Sequence, residues 1–376
     1  MINKISFLPW VKSLAKYDLG KGVRSVAELS NTNEKNIIKL ASNENPFGVS
    51  PKVKAFVEDF THELNRYPDA DSYLLRSGIA KNLNISSDQI FLGNGSNDVL
   101  DYIARICLSP GSSAIFSKYS FAVYSLATNA CGAEAIEVPV DTDFRPNLER
   151  LADSVKANTR VIFIANPNNP TGIYVPLKEI VAFLDNVSES VLVVLDEAYF
   201  EYIEDEQIKS INLLSSYPNL FITRSFSKAY GLAGLRLGYG IGSAEVVSFL
   251  NRLRQPFNAN SIAQGAALIA LKDKNFLQDS IARNKLLREN LEKELSVLAL
   301  EFLPSKGNFI LVNFSNRVDS DSNSGIGQIV FERLLRKGII TRPVSNYGLP
   351  DWLRISIGTE TEMSSLLKTL KSLFAS

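Results

Sequence analysis

Lys228 is the residue of this sequence best suited to covalent chemistry. It lies in the segment 224–236, RSFSKAYGLAGLR, directly after the run 219–223, which predicts the end of a strand. Two serines precede the lysine closely, and an arginine follows a glycine-rich turn. A lysine amine forms a Schiff base with an aldehyde cofactor, most often pyridoxal phosphate (PLP). Hydroxyls and a guanidinium suit the phosphate of that cofactor. Taken alone, a segment of this kind more often contains a surface lysine in a polar loop.

A second polar group follows another strand-like run. The segment 196–199, DEAY, directly follows the apolar residues 191–195. Ligands of open α/β sheets bind at the carboxyl ends of the strands. Asp196 can therefore keep a pyridine nitrogen protonated, so that the ring accepts electrons from a substrate carbanion. Tyr199 can hydrogen-bond the phenolic oxygen of the cofactor. The alternative for Asp196 is a turn or cap residue, but Lys228 at a further strand end favours the cofactor role.

Three more features fit a cofactor site without proving one. The segment 166–172, NPNNPTG, forms a rigid turn, and an asparagine in it can donate to the phenolic oxygen. The segment 93–98, GNGSND, begins a helix, where free N–H groups and the helix dipole favour a phosphate. It is neither a Walker P-loop nor a dinucleotide fingerprint. Phe121 follows a further strand and could stack on a flat ring or pack in the core.

The composition excludes several other classes of function. Forty basic residues balance forty acidic ones among 376, which argues against a dedicated nucleic-acid or anionic-membrane binder. The sequence has neither a membrane-spanning run nor a signal-peptide core at its start, so we expect a cytoplasmic protein. His62 is the single histidine, which argues against Ser/His/Asp hydrolysis and histidine-rich metal sites. Cys107 and Cys131 make no disulfide framework and no zinc spacing. We expect no metal.

Strand-length apolar runs alternate with helical patterns, which predicts an α/β fold. The runs 161–165 and 191–195 indicate strands buried on both faces, as in a parallel sheet. The further predicted elements are helices at 98–108, 177–185, 329–337 and from 262 into the 280s, and strands at 308–313 and 352–357. Thr359 and Glu362 form a capping-box pattern before a last helix. We expect a large domain at 45–270 with a mostly parallel central sheet flanked by helices. A smaller α+β domain follows at 271–376, and an N-terminal segment at 1–44 packs on the small domain or on a partner subunit.

These motifs together resemble the fold-type I PLP-dependent aminotransferases. Within them the chain resembles the histidinol-phosphate aminotransferase family, of class II. The segments that carry the resemblance, in the order of the family, are 40–48 (LASNENPFG), 66–69 (RYPD), 93–98, 168–172 (NNPTG), 196–199, 225–236 and 353–358 (LRISIG). They span nearly the whole chain. The aspartate, lysine and arginine of the cofactor motifs identify the superfamily, and the first two segments favour the histidinol-phosphate branch.

The resemblance implies a cofactor role for each matching residue. Lys228 would carry the Schiff base and Asp196 would pair with the pyridine nitrogen, which with Tyr199 makes up the expected catalytic set. Tyr199 and Asn169 would hold the phenolic oxygen. The phosphate would be bound by Gly95, Ser96, Asn97, Ser225, Ser227 and Arg236. Tyr67 would reach the phosphate from a second subunit, which implies a homodimer with shared active sites.

The resemblance also implies the substrate residues. Arg354 and Arg342 would bind the anionic ends of the substrates, and Tyr17 would help at the substrate phosphate. Asn43 is expected among the substrate-binding residues. The chain departs from the common family pattern in having Phe121 where many members have tyrosine, with Lys118 and Ser113 in place of a proline and an aspartate. Phenylalanine still stacks, so the cofactor prediction is unchanged.

The implied reaction is the transamination of L-histidinol phosphate with 2-oxoglutarate, giving imidazole-acetol phosphate and L-glutamate. A related enzyme of the same fold would share every cofactor residue. Such enzymes include aminotransferases for aromatic or other 2-oxo acids and threonine-phosphate decarboxylase. A non-catalytic PLP-binding sensor is a more distant alternative. Sensors of this kind carry an added DNA-binding domain, and the first forty or so residues contain no helix-turn-helix pattern and no basic cluster.

Overall fold

A computed structural model describes residues 5–14, 20–29, 33–203, 209–316 and 325–374. The helices are α1 (Val23–Leu29), α2 (Pro51–Asp59), α3 (Tyr73–Leu83), α4 (Ser96–Cys107), α5 (Val123–Ala130), α6 (Leu148–Asp153), α7 (Leu177–Leu184), α8 (Ala244–Leu253), α9 (Ser261–Lys272), α10 (Lys274–Val297), α11 (Ile326–Leu335) and α12 (Glu360–Phe374). The strands are β1 (Ile38–Lys39), β2 (Ile90–Gly93), β3 (Ser113–Ser117), β4 (Glu134–Val138), β5 (Thr159–Ala165), β6 (Leu192–Asp196), β7 (Leu220–Ser225), β8 (Gly238–Ile241), β9 (Glu301–Leu303), β10 (Phe309–Asn313), β11 (Ile339–Ile340), β12 (Arg342–Val344) and β13 (Leu349–Ser356). Among the described helices, none is long and apolar enough to cross a membrane.

The main sheet has seven strands in the order β2-β8-β7-β6-β5-β3-β4. The strands from β7 to β4 pair in parallel, whereas β8 runs antiparallel to both of its neighbours. The predicted mostly parallel sheet is confirmed. Because β5, β6 and β7 run in one direction, their carboxyl ends meet at a single edge of the sheet, where a ligand is expected to bind.

Both faces of this sheet are buried, as the continuous apolar runs predict. Along β5, Ile162 and Ile164 face one core, whereas Val161 and Phe163 face the other. Helices α7 and α9 cover the first core, and α4, α5 and α8 cover the second. The sheet is therefore held on both sides, which gives the strand ends fixed positions.

A second, antiparallel sheet lies in the C-terminal part of the chain, with the order β12-β13-β10-β9. Helices α10, α11 and α12 pack with it around a separate core. The N-terminal strand β1 pairs in parallel with β11, and Leu40 packs in this same core. The predicted strand–helix–strand–helix order is present but incomplete, because three short strands at 301–303, 339–340 and 342–344 lack the length that gives a clear pattern. The capping box is confirmed: the Thr359 N–H donates to Glu362 Oε2 at 2.7 Å, and the Glu362 N–H donates to Thr359 Oγ1 at 3.3 Å.

The prediction of one long helix from residue 262 into the 280s is wrong. The structure has two helices, α9 and α10, which meet at Asp273. The backbone of Asp273 leaves the helical region there, with φ −89° and ψ 70°. Its carboxylate accepts hydrogen bonds from Ser50 and Lys52 at the start of α2. This contact between segments distant in sequence accounts for the break, and local helical spacing does not reveal it.

Candidate active site

A cavity of about 380 Å³ lies at the carboxyl ends of the parallel strands. Ala165, Asp196 and Ser225, which end β5, β6 and β7, all line it. The predicted site residues that line it are Asn43, Ser96, Asn97, Phe121, Asn169, Asp196, Tyr199, Ser225, Ser227, Lys228, Arg236, Arg342 and Arg354. The fold therefore brings together, in one cavity, side chains from segments that are widely separated in the sequence.

Lys228 stands on a tight turn directly after β7. The Gly231 N–H donates to the Lys228 carbonyl at 2.9 Å, and an added Cβ at Gly231 would collide with the carbonyl of Gly48. The Lys228 ammonium donates to the Ser42 carbonyl at 3.2 Å. Burial, followed by the positive charge of Arg354, lowers the pKa of Lys228 from 10.5 to about 8. A larger fraction of this amine is therefore neutral and nucleophilic near neutral pH than of an ordinary lysine.

This pKa predicts the pH dependence of aldehyde capture by the cofactor-free protein. The neutral amine is the reactive form, so the rate of Schiff-base formation with PLP is expected to rise with pH and level off above about 8. Stopped-flow absorbance measures this rate from about pH 6 to about pH 11, a range that includes both the lowered pKa of Lys228 and the ordinary pKa of a lysine. The same titration on a small amine of ordinary basicity corrects for ionisation of PLP itself. A rate that still rises up to the ordinary lysine pKa contradicts the prediction.

The carboxylate of Asp196 is held by two hydroxyls. Tyr124 Oη donates to Asp196 Oδ2 at 2.8 Å, and Thr223 Oγ1 donates to Asp196 Oδ1 at 2.9 Å. Burial raises the pKa of the Asp196 carboxyl, while these hydrogen bonds, the Ala198 N–H and the charge of Lys228 oppose that rise. Both hydroxyls donate, which favours the charged form of the carboxylate and opposes the effect of burial.

Tyr199 and Asn169 also present polar atoms to the cavity. Asn43 Nδ2 donates to Tyr199 Oη at 2.9 Å, and Arg354 Nη1 donates to Asn169 Oδ1 at 2.6 Å. Because Asn169 accepts through its oxygen, its amide nitrogen is the group that it offers as a donor. Burial raises the pKa of the Tyr199 phenol to about 12, so this hydroxyl stays protonated at neutral pH and can donate.

The start of α4 and Arg236 form a cradle for an anion. The first N–H groups of a helix have no intrahelical acceptor and attract negative charge. Gly95, at φ 94°, precedes the helix, and an added Cβ there would collide with the Arg236 guanidinium. Arg236 Nη1 in turn lies 3.5 Å from Ser227 Oγ, on the turn that carries Lys228. Only glycine at position 95 lets the helix start and the guanidinium approach a shared anion.

Phe121 lies between the cavity and the core of the large domain. Its ring lines the cavity and is half-buried. It also packs edge-on against Tyr124, with the ring centroids 6.0 Å apart and the planes at 89°. Core packing against Tyr124 therefore fixes the orientation of the ring that the cavity sees.

Two arginines enter the cavity from the small sheet. Arg342 on β12 and Arg354 on β13 are direct cross-strand partners. Two like charges opposite each other in an antiparallel pair are unfavourable, and an anion bound between them relieves the repulsion. Arg354 is buried and also donates to the Ala41 carbonyl at 2.6 Å. The two guanidiniums are therefore candidates for a second anion site in the cavity.

Comparison with known proteins places this geometry in a family. The model of the family "Aminotransferase class I and II" matches residues 35–370. The chain belongs to this family. The relatives include histidinol-phosphate aminotransferase 2 of Pseudomonas fluorescens (strain Pf0-1), 46% identical over 371 residues, which cover 98% of this chain and 97% of that protein. Histidinol-phosphate aminotransferase 1 of Cupriavidus pinatubonensis is 45% identical with the same coverage.

Solved structures agree with the assignment of this aminotransferase. Histidinol-phosphate aminotransferase from Sinorhizobium meliloti in complex with pyridoxal-5'-phosphate superposes with a TM-score of 0.89 at 27% identity, covering 100% of this chain and 99% of that one. Thermus thermophilus aspartate aminotransferase with maleate, at 19% identity and a TM-score of 0.84, covers 98% of this chain and 100% of its own, and shares the fold. The predicted fold-type I aminotransferase architecture is confirmed.

Two predicted residues of the aminotransferase lie outside the cavity lining, and a third is not among the described residues. Gly95 contributes through its contact with Arg236. Tyr67 is 81% exposed and stacks on Phe257, with centroids 4.6 Å apart, so within one chain it reaches no part of the cavity. Tyr17 falls outside the described residues.

Several residues that the aminotransferase fold places at the site are not predicted from the sequence. Tyr124 and Thr223 hold Asp196, while Glu44 and Tyr347 line the cavity. Thr223 could have been found, because it pairs in register with Asp196 on the neighbouring strand. Tyr124 and Tyr347 do not follow a predicted strand, and only the tertiary fold brings them close to the other residues of the site.

Proposed function

We propose that this aminotransferase catalyses the PLP-dependent transamination of L-histidinol phosphate with 2-oxoglutarate, giving imidazole-acetol phosphate and L-glutamate in histidine biosynthesis. The names of its full-length relatives support this substrate pair. The observation that carries the proposal is the cross-strand pair Arg342 and Arg354, which lines the same cavity as the Lys228 amine. An amine of lowered pKa beside an anion site suits an amino donor that carries a negative group at its far end.

The donor set of the cavity fits PLP. The Lys228 amine would bind the aldehyde, and the doubly anchored Asp196 carboxylate would face the ring nitrogen. Tyr199 and Asn169 would donate to the phenolic oxygen. The phosphate would lie at the start of α4 against Arg236, where a Cβ at residue 95 would collide with the guanidinium. Bound PLP supplies an electron sink for the carbanion formed at the substrate α-carbon.

Lys228 also provides the base for the reaction. Its amine is held on the turn after β7, with the Ser42 carbonyl as its hydrogen-bond acceptor. A pKa lowered to about 8 makes the amine an acceptor for the α-proton near neutral pH. Once protonated, the same amine would be the acid that returns this proton. The Asp196 carboxyl, held by two hydroxyl donors, would face the ring nitrogen at the other end of the site.

One anion site must serve two chemically different substrates. L-Histidinol phosphate carries a phosphate ester, whereas glutamate and 2-oxoglutarate carry carboxylates. A guanidinium binds either group through two parallel hydrogen bonds. Arg342 and Arg354 therefore suit both half-reactions without any change of residue at the site.

A panel of amino donors and acceptors assayed with the purified protein tests the proposal. The expected result is the highest kcat/KM for L-histidinol phosphate with 2-oxoglutarate. A preference for aromatic or other 2-oxo acids would show that the substrate assignment is wrong, and so would release of carbon dioxide from threonine phosphate. Neither result would contradict the assignment of PLP as the cofactor. Absence of any turnover together with PLP binding would indicate a sensor.

Replacing Arg354 by alanine is expected to weaken both half-reactions. The loss of a buried charge-assisted contact predicts a fall in kcat/KM of about 100-fold for L-histidinol phosphate and for glutamate alike. Steady-state kinetics with each donor measure the two values. Arg145, which pairs with Glu179 outside the cavity, offers a matched control in Arg145→Ala. An unchanged KM for both donors would remove Arg354 from the substrate site.

We also propose a cytoplasmic homodimer with shared active sites. Tyr67 and Phe257 form an exposed aromatic stack, and the nearby Leu64, Tyr73 and Leu74 are exposed as well. Exposed apolar side chains in such a cluster are typical of an interface. A second copy of the chain on this face would bury them and bring Tyr67 toward the neighbouring cavity. Sedimentation of the purified protein measures the oligomeric state directly.

A further inference from the structure

The hydroxyl of Ser356 and the amide of Asn43 form a closed hydrogen-bond circuit next to the cavity. The Asn43 backbone N–H donates to Ser356 Oγ at 2.8 Å, and Ser356 Oγ donates to Asn43 Oδ1 at 2.8 Å. Asn43 is 1% exposed, at φ 53°, and its carbonyl accepts from Asn308 Nδ2 at 3.0 Å. Asparagine tolerates this left-handed backbone better than most residues.

This circuit fixes which atom of the Asn43 amide faces Tyr199. A serine hydroxyl has one proton, and because Ser356 Oγ already accepts the backbone N–H, its proton goes to Asn43 Oδ1. The amide oxygen is therefore directed to Ser356, and the amide nitrogen is directed to Tyr199 Oη, 2.9 Å away. The nitrogen can only donate, so the Tyr199 oxygen must accept. The one proton of Tyr199 is then left for a partner in the cavity.

We propose that Asn43 and Ser356 are positioning residues that hold Tyr199 as a hydrogen-bond donor toward the phenolic oxygen of the cofactor. This inference rests on the proposed function, since it assumes PLP on Lys228. It also revises the expected role of Asn43 from substrate contact to orientation of a neighbour. Ser356 belongs to β13, the strand that also carries Arg354. A residue of the small sheet therefore determines the direction in which the Tyr199 hydroxyl, which follows a strand of the large sheet, donates its proton.

The direction of this hydrogen bond can be measured through the pH dependence of the visible absorbance of the holoprotein. With PLP bound, the Lys228 nitrogen and the phenolic oxygen would compete for one proton, and donation from Tyr199 would stabilise the oxygen as an anion. The oxygen then holds the shared proton less tightly, which lowers the pH at which the visible absorbance of the holoprotein changes. The charged groups that act on Lys228 are Arg354, Glu44, Arg236 and Asp196. None of them is altered by the substitutions below.

The variant Asn43→Asp reverses the hydrogen bond, because a carboxylate accepts the Tyr199 proton and cannot donate. The midpoint of the absorbance titration is expected to rise by about one pH unit, on the scale of one charge-assisted hydrogen bond. The added negative charge alone also raises the midpoint. The same substitution in a Tyr199→Phe background isolates that charge effect, as in a double-mutant cycle. A clearly smaller rise in the Tyr199→Phe background supports the proposal, and equal rises in the two backgrounds overturn it.

A second cycle decides the question if Asn43→Asp does not fold. Ser356→Ala releases the amide so that either of its atoms can face Tyr199, and a smaller rise is expected, again lost in the Tyr199→Phe background. Ser113→Ala is the matched control, since Ser113 is equally buried and bonds Thr159 at the opposite end of the large sheet. No rise in the Ser356 variant overturns the proposal. Borohydride reduction of the wild-type holoprotein tests the proposed function separately. Without a label on Lys228, the proposed function fails as well. If Lys228 is labelled but the substitutions shift the midpoint equally with and without Tyr199, only the present inference fails.

Discussion

The variant Lys228→Ala is expected to lose transamination with every amino donor. No other described lysine lines the cavity, so neither covalent attachment of the cofactor nor removal of the substrate α-proton has a substitute. The expected fall in kcat is about four orders of magnitude or more, the scale found when a group with both nucleophile and base roles is deleted. Single-turnover absorbance with L-histidinol phosphate and glutamate measures the loss, and the Schiff-base absorbance of the holoprotein is expected to vanish with it.

Lys118→Ala is the matched control for this prediction. Lys118 follows β3 and lies over the ring of Tyr119 at 4.9 Å, and it does not line the cavity. Its loss is expected to leave turnover and absorbance close to those of the wild type. Borohydride reduction followed by peptide mapping gives an independent reading, with the label expected on Lys228. Full turnover of the Lys228→Ala protein, or a label on another side chain, would falsify the cofactor assignment.

The sequence predicted approximately where the strands that carry Asp196 and Lys228 end, since the runs 191–195 and 219–223 stop close to the observed ends of β6 and β7. The runs 161–165 and 191–195 are apolar at every position because both faces are covered, and polar residues begin where each strand reaches the sheet edge. The structure places the end of β6 at Asp196 and the end of β7 at Ser225. Several of the residues expected to bind a cofactor lie just after these strand ends. Finding where each apolar run stops was therefore enough to identify them.

The residues that orient the site were harder to predict, because their partners are distant in sequence. Tyr124 lies on α5 and reaches Asp196 across 72 positions, while Ser356 reaches Asn43 across 313. The same limit explains the helix break at Asp273, which depends on contacts with Ser50 and Lys52. Spacing within a segment reports which face is buried. It carries no information on which hydroxyl from another segment meets a given carboxylate.

Asp196→Asn is expected to show the second largest effect, because the amide cannot balance a positive charge on the ring nitrogen. Tyr124 and Thr223 both donate to the carboxylate, so an amide NH₂ would also face one of these hydroxyl donors. The expected fall in kcat is about 1,000-fold, the order that losing one preorganised electrostatic partner costs. Steady-state kinetics measure it, with Asp185→Asn as the control, since Asp185 bonds Tyr217 outside the cavity.

A cofactor analogue separates the charge of Asp196 from its role in packing. PLP methylated at the ring nitrogen carries a permanent positive charge and needs no carboxylate to keep it. If Asp196 acts by holding that charge, Asp196→Ala reconstituted with the methylated analogue is expected to recover most of the activity lost with PLP, because alanine leaves room for the methyl group. If Asp196 instead acts by supporting Tyr124 and Thr223, the analogue restores nothing, and the two hydroxyls that hold the carboxylate become the functional element. Comparison of the two cofactors in one variant therefore assigns the effect to charge or to structure.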